Sequence, residues 1–260
     1  LLRLQSRAHP PDFRGRATPQ EVALPFGAQV FADLPLAIDP DEVLRFQGYK
    51  KGVDLPTPDV RALFDEALAE GTRLMVPRAV VRWLPVDARG PDSLEAGGEV
   101  LTIPATGERW GEVEHVAAAV VTIGEALERR VAALWESREL PLASMLDSVG
   151  SGAVESLAEY LNDVLCQQGL AAGLRVTNRI SPGYAAWDVA EQHALFRLCP
   201  GAPVGVTLNA ACFMTPGKSI SLLVGAGVRA RVDHYFSQCA RCWMRDCAYR
   251  RMPARRTVHR

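Results

Sequence analysis

The sequence predicts one α+β domain: a mixed or antiparallel sheet with helices packed around it. Three observations carry this. The chain has 260 residues, 48% of them hydrophobic and 23% charged, enough to bury a real core. Runs rich in β-branched residues recur at 73–87, 115–124 and 219–225. Before and between them lie helical patterns at 58–69, 125–136 and 141–168, with no internal repeat.

Each element has a local reason. Residues 1–40 are Pro-rich and irregular, with one short apolar run at 28–38; residues 1–35 are expected to form an extended arm. Asp39-Pro-Asp-Glu opens a helix, because acidic side chains in a first turn face the positive end of the helix dipole. From Pro58, residues Val60, Leu63, Phe64, Ala67 and Leu68 recur on one helical face. The run RLMVPRAVVRWLPVD at 73–87 reads as a strand, the cluster 90–98 as a turn, and Gly98-Glu-Val-Leu-Thr-Ile as a second, short strand. His115-Val-Ala-Ala-Ala-Val-Val-Thr-Ile-Gly is a buried strand followed by a helix; its single Gly124 is far short of a dinucleotide-binding fingerprint. The longest helical pattern, 141–168, is expected to soften at Gly150 and Gly152. Leu174-Arg-Val-Thr-Asn, Gly205-Val-Thr-Leu-Asn and Ser219-Ile-Ser-Leu-Leu-Val-Gly read as strands, and 189–198 as a helix. Residues 36–228 are expected to form the main domain and 229–260 a separate basic, Cys-rich segment.

Charge is unevenly spread. The total is −1, yet residues 229–260 hold nine Arg against two Asp, a net +7, which leaves −8 for the rest. Such a tail either meets an anionic partner or folds on the acidic body. No run approaches the ~18 apolar residues of a membrane span, so no membrane is expected. Six cysteines in a chain of this size do not resemble a secreted disulfide framework, so a reducing cytoplasmic setting is expected.

Two segments carry candidate chemistry. Thr215-Pro-Gly-Lys-Ser imitates the end of a phosphate-binding loop, but Cys212 stands where that loop needs glycine, and a strand-like run follows where it needs a helix. A turn between two strands is the better reading. The loop Asn178-Arg-Ile-Ser-Pro-Gly-Tyr-Ala-Ala-Trp187 is more informative. Arg179 offers a planar fork of donors suited to a carboxylate or phosphate. Pro182-Gly183 turns the chain and lets a ligand approach the backbone. Tyr184 and Trp187 can wall a flat group, or simply cap the core.

Arg179-Ile-Ser-Pro-Gly-Tyr resembles the Arg-x-x-x-Gly-Tyr motif of the S-adenosylmethionine-binding activation (reactivation) domain of cobalamin-dependent methionine synthase. Ala153-Val-Glu-Ser-Leu-Ala-Glu-Tyr-Leu resembles a helix of that family, and Phe213-Met-Thr-Pro-Gly-Lys-Ser-Ile-Ser its Met-x-Pro-x-x-Ser-Val-Ser segment, in the same order. Glu42-Val-Leu-Arg-Phe-Gln-Gly-Tyr and Val121-Thr-Ile-Gly resemble stand-alone members; the likeness spans about 36–250. The resemblance implies that Arg179 meets the methionine carboxylate, that the backbone of Ile180 and Ser181 contacts the adenosine part, that Gly183 and Tyr184 line the site, and that Glu155 lies near the ligand. It implies reductive reactivation of a corrinoid protein, with cobalamin on the partner and a possible electron-donor protein. There an inactive cob(II)alamin gains one electron and methylation by S-adenosylmethionine traps the product. Departures are plain. The family's aspartate from its N-terminal arm has only candidates here, Asp33, Asp39 and Asp41; the tyrosine after its Ser-x-Ser segment is missing; and its homocysteine, folate and cobalamin domains have no counterpart.

Beyond that likeness stands Cys239-Ala-Arg-Cys242-Trp-Met-Arg-Asp-Cys247. Three thiolates so close can share an iron–sulfur cluster or zinc, and nearby arginines favour the thiolate form. Cys199, Cys212 or His234 could complete the set. Alternative functions are another S-adenosylmethionine enzyme or sensor on the same scaffold, or a zinc-stapled interaction module. Nucleic acid is not favoured, because a compact zinc ribbon shows four ligands.

Overall fold

The computed structural model describes residues 23–50, 53–184 and 186–232. In chain order these form β1 (Gly27–Ala32), α1 (Pro40–Phe46), α2 (Pro58–Leu74), β2 (Arg78–Arg89), β3 (Ser93–Ala96), β4 (Glu99–Thr102), α3 (Thr106–Trp110), β5 (Gly111–Glu112), β6 (His115–Thr122), α4 (Ala126–Glu136) and α5 (Leu140–Ala171). After them come β7 (Arg175–Val176), α6 (Gln192–Leu198), β8 (Thr207–Leu208), β9 (Met214–Thr215), β10 (Ser219–Gly227) and β11 (Arg229–Ala230).

The main sheet runs β4-β3-β2-β6-β10-β7, with β1 also paired to β2. Its strand pairs are antiparallel. Side chains alternate across it, as the pleat requires. Ala79, Val81 and Trp83 of β2, Ala117, Ala119 and Val121 of β6, and Leu222, Val224 and Ala226 of β10 pack against α1, α2, α4 and α5. Val80 and Leu84, Val116, Ala118 and Val120, and Leu223 face a second cluster built with α6, Trp110, Ile180 and Trp187. The sheet is covered on both faces, which is why its central strands read as almost unbroken apolar runs.

Two local expectations are corrected. The apolar run placed in an irregular arm is a strand: β1 pairs with β2 from Gly27 opposite Trp83 to Ala32 opposite Arg78. The long helix does not soften at its glycines; α5 is continuous over 32 residues. A Cβ at Gly150 would lie 2.7 Å from Leu127 Cδ2 of α4, and one at Gly152 2.9 Å from Val43 Cγ2 of α1. Both neighbours are fully buried. Each glycine costs the helix about 1 kcal/mol of propensity and lets another helix approach.

The segment that imitates a phosphate loop is a turn into β10. Gly217 N–H donates to Glu128 Oε2 at 3.0 Å, and Lys218 N–H donates to Oε1 of the same carboxylate. Lys218 Nζ lies 2.8 Å from Asp147 Oδ1 and 2.8 Å from Ser151 Oγ. The backbone donors that would cradle a phosphate hold a carboxylate of α4 instead. Among the described residues no helix is long and apolar enough to cross a membrane.

Candidate functional site

The segment after β7 stays zipped to β10. Thr177 N–H donates to Gly225 O at 2.8 Å, and Ile180 exchanges both backbone bonds with Leu223 at 2.9 Å. Along such extended backbone, neighbouring side chains point to opposite faces. Ile180 therefore enters the second core cluster, while Arg179 reaches back to α5.

On α5, Glu155 and Glu159 are four residues apart and share one helical face. Arg179 Nη2 donates to Glu155 Oε2 at 2.7 Å and to Glu159 Oε1 at 2.8 Å, and Arg179 Nε donates to Glu159 Oε1 at 3.2 Å. The three side chains are unequally covered: Arg179 is 11% exposed, Glu155 22% and Glu159 58%. Burial works against the guanidinium charge, but Glu155 and then Glu159 outweigh it, and the pKa of Arg179 is raised. The cation is thus permanent and its position is fixed by α5. With two carboxylates on one guanidinium, the cluster carries one surplus negative charge.

A tight turn follows. Tyr184 N–H donates to Ser181 O at 3.2 Å, Trp187 N–H to Tyr184 O at 2.9 Å, and Gly183 N–H to Trp187 O at 2.8 Å. Gly183 holds φ 89°, in the region that a Cβ disfavours. Nothing but Val189 Cγ2, at 4.0 Å, stands near where its Cβ would be, so backbone conformation rather than space requires glycine. Ser181 is 5% exposed and its buried hydroxyl has no hydrogen-bond partner. A buried polar atom without a protein partner is costly.

The two aromatics part company. Tyr184 is half-exposed at the turn. Trp187 is buried in the second core cluster, with its indole Nε1 unpartnered; it caps the core instead of lining a surface site. Ile180 likewise spends its backbone groups on Leu223 and buries its side chain, so it anchors the loop. Of the aspartate candidates, Asp39 caps α1, its Oδ1 accepting from Asp41 N–H at 2.9 Å. Glu159 was not singled out in the sequence; its signals were a place in the Ala158-Glu-Tyr-Leu stretch and a four-residue spacing from Glu155.

The cysteine set Cys239, Cys242 and Cys247, with His234, lies outside the described residues. Among the described residues no group of His, Cys, Asp and Glu is arranged to hold a metal. Cys199 is buried, its thiol directed at Val80 O at 3.7 Å, and burial pushes its pKa up to about 12. That environment suits a neutral thiol and opposes a thiolate ligand. Cys166 is half-buried and its pKa is also raised, by burial and then by Asp163.

No protein-family profile and no curated protein matches the chain. Among solved structures, the crystal structure of the MetH reactivation domain bound to AdoHcy superposes with a TM-score of 0.63 at 17% identity, covering 84% of this chain and 83% of that one. The chain has the fold of a MetH reactivation domain.

Proposed function

We propose that the Arg179 loop and α5 bind S-adenosylmethionine, and that the protein serves the reductive reactivation of a corrinoid protein. The observation that carries this is the Arg179–Glu155–Glu159 cluster beside the Ser181–Tyr184 turn. In support, the MetH reactivation domain, whose fold the chain shares, was crystallised with AdoHcy.

The donor set fits the ligand. S-adenosylmethionine presents a carboxylate, which suits the Arg179 guanidinium, and an ammonium, which suits a carboxylate beside it. Arg179 takes the carboxylate through charge-assisted hydrogen bonds. Glu155, the better covered of the two carboxylates, takes the ammonium. The buried hydroxyl of Ser181 and the turn backbone meet the adenosine part, and Tyr184 walls it. When bound, S-adenosylmethionine supplies an electrophilic methyl group on sulfur. The chain's own residues fix the amino-acid end from a rigid helix, and so limit the positions the reactive end can take. Ile180 contributes by zipping the loop to β10.

Cys239, Cys242 and Cys247 belong to the same proposal as ligands of a redox centre, on the strength of their spacing alone. A corrinoid-binding partner and an electron donor complete it.

The test is methyl transfer. Full-length protein is incubated with methyl-labelled S-adenosylmethionine, cob(II)alamin and a low-potential chemical reductant. Label should reach the corrinoid above the protein-free rate and only when reductant is present. Saturable ligand binding with no such transfer would overturn the corrinoid reading and leave a sensor or another S-adenosylmethionine-dependent activity on this scaffold.

A further inference from the structure

We infer that Glu159 is a positioning residue, one that sets the plane of the Arg179 guanidinium for a ligand's carboxylate; this rests on the binding reading above. The two glutamates do not touch Arg179 in the same way. Glu155 accepts from Nη2 alone, at 2.7 Å. Glu159 bridges Nη2 and Nε with the single oxygen Oε1, at 2.8 Å and 3.2 Å. A contact to the terminal nitrogen alone leaves the guanidinium able to rotate about its last side-chain bonds. A second contact to Nε, which belongs to the stem, removes that rotation. An unrestrained arginine side chain retains rotamer entropy, and part of it must be lost whenever a ligand is gripped. Glu159 removes part of that freedom before the ligand arrives.

Exposure separates the two roles further. Glu159 is 58% exposed against 22% for Glu155. A half-solvated carboxylate contributes little net Coulomb energy to the fold. Its contribution is geometric, and it acts through Arg179. The sequence places the two carboxylates one helical turn apart, so that a single guanidinium arriving from the β7–β10 edge can span both.

The test compares two ligands that differ only in the group Arg179 grips. S-adenosylmethionine and decarboxylated S-adenosylmethionine are titrated into full-length wild type, Glu159→Gln, Glu159→Ala, Arg179→Ala and the Glu159→Ala/Arg179→Ala double variant. Glu159→Gln, whose amide oxygen can still accept from Nη2 and Nε, should keep most of the affinity, whereas Glu159→Ala, which removes the bridging oxygen, should weaken S-adenosylmethionine by about three- to five-fold, the scale of a half-exposed charged contact. Glu159→Ala should leave the decarboxylated ligand unchanged, and it should cost nothing further in the Arg179→Ala background. Equal loss for both ligands would overturn the inference, because Glu159 would then act by charge or by supporting the fold. No loss for S-adenosylmethionine would overturn it too. If wild type binds neither ligand, it is the underlying binding reading that fails.

Discussion

Replacing Arg179 by alanine removes one cation that two carboxylates share, and the consequences divide into a stability part and a binding part. The guanidinium is 11% exposed and makes three hydrogen bonds to the two glutamates. Hydrogen bonds to charged groups contribute roughly 1.5–3 kcal/mol when well covered. Glu155 is mostly covered, while Glu159 is solvated enough for its share to fall to about 0–1 kcal/mol. Baring two like charges at i,i+4 spacing adds a few tenths of a kcal/mol. The expected loss of stability is therefore about 2–3 kcal/mol, or a fall in melting temperature of roughly 4–12 °C for a domain of this size. Ligand affinity should fall by a further ~1.5–3 kcal/mol, about ten- to 150-fold, because the carboxylate loses its charge-assisted donor. Arg179→Lys should recover the charge but only part of the affinity, since an ammonium lacks the planar fork. Thermal unfolding by circular dichroism and calorimetric titration with S-adenosylmethionine read the two parts separately. A folded Arg179→Ala protein with wild-type affinity would refute the assignment, whatever happened to its melting temperature.

Four further outcomes are expected. Gly183 sits at φ 89° in open space, so Gly183→Val should abolish most ligand binding, and Gly183→Asn, which tolerates positive φ, should retain more; titration of both variants checks this, and equal behaviour would show that the turn does not shape the site. Gly152→Val would gain helix propensity of about half a kcal/mol but push into Val43, so chemical denaturation should show a net loss of about 1–2 kcal/mol; a more stable variant would mean that α1 yields freely. For the cysteines, anaerobically purified protein should contain iron that Cys239→Ser, Cys242→Ser or Cys247→Ser depletes and Cys166→Ser does not. Cys199 should resist alkylation in the folded state, and its stability contribution, full below the ordinary thiol pKa of 9.0, should be lost as pH climbs towards about 12.

Much of this fold was legible because the sheet is buried on both faces. A run such as 115–124 can hardly be anything but an interior strand, and it forms β6. The helices from Pro58 and 125 onward were legible from apolar spacing, with Thr57 capping the first through its side chain. What escaped depended on contacts distant in sequence. Nothing local marks residues 27–32 as a strand; β2 makes them one by pairing with them. Nothing local shows that Gly150 and Gly152 exist to admit Leu127 and Val43. At the site, the resemblance drew attention to Arg179 and Glu155, but which aromatic faces solvent was not readable. Tyr184 and Trp187 look alike as residues near a Pro-Gly turn, and only the core decides that the indole is inside. Glu159 was hidden for the opposite reason: a glutamate on an exposed helix face is ordinary until an arginine twenty residues on turns out to meet it.

Calorimetric titration of S-adenosylmethionine into the wild-type chain is the most direct test of ligand binding at the Arg179 loop. One saturable site per chain is expected, competed by S-adenosylhomocysteine and weakened when the ligand lacks its carboxylate. Absence of saturable binding by folded protein, or binding indifferent to the carboxylate, would contradict it.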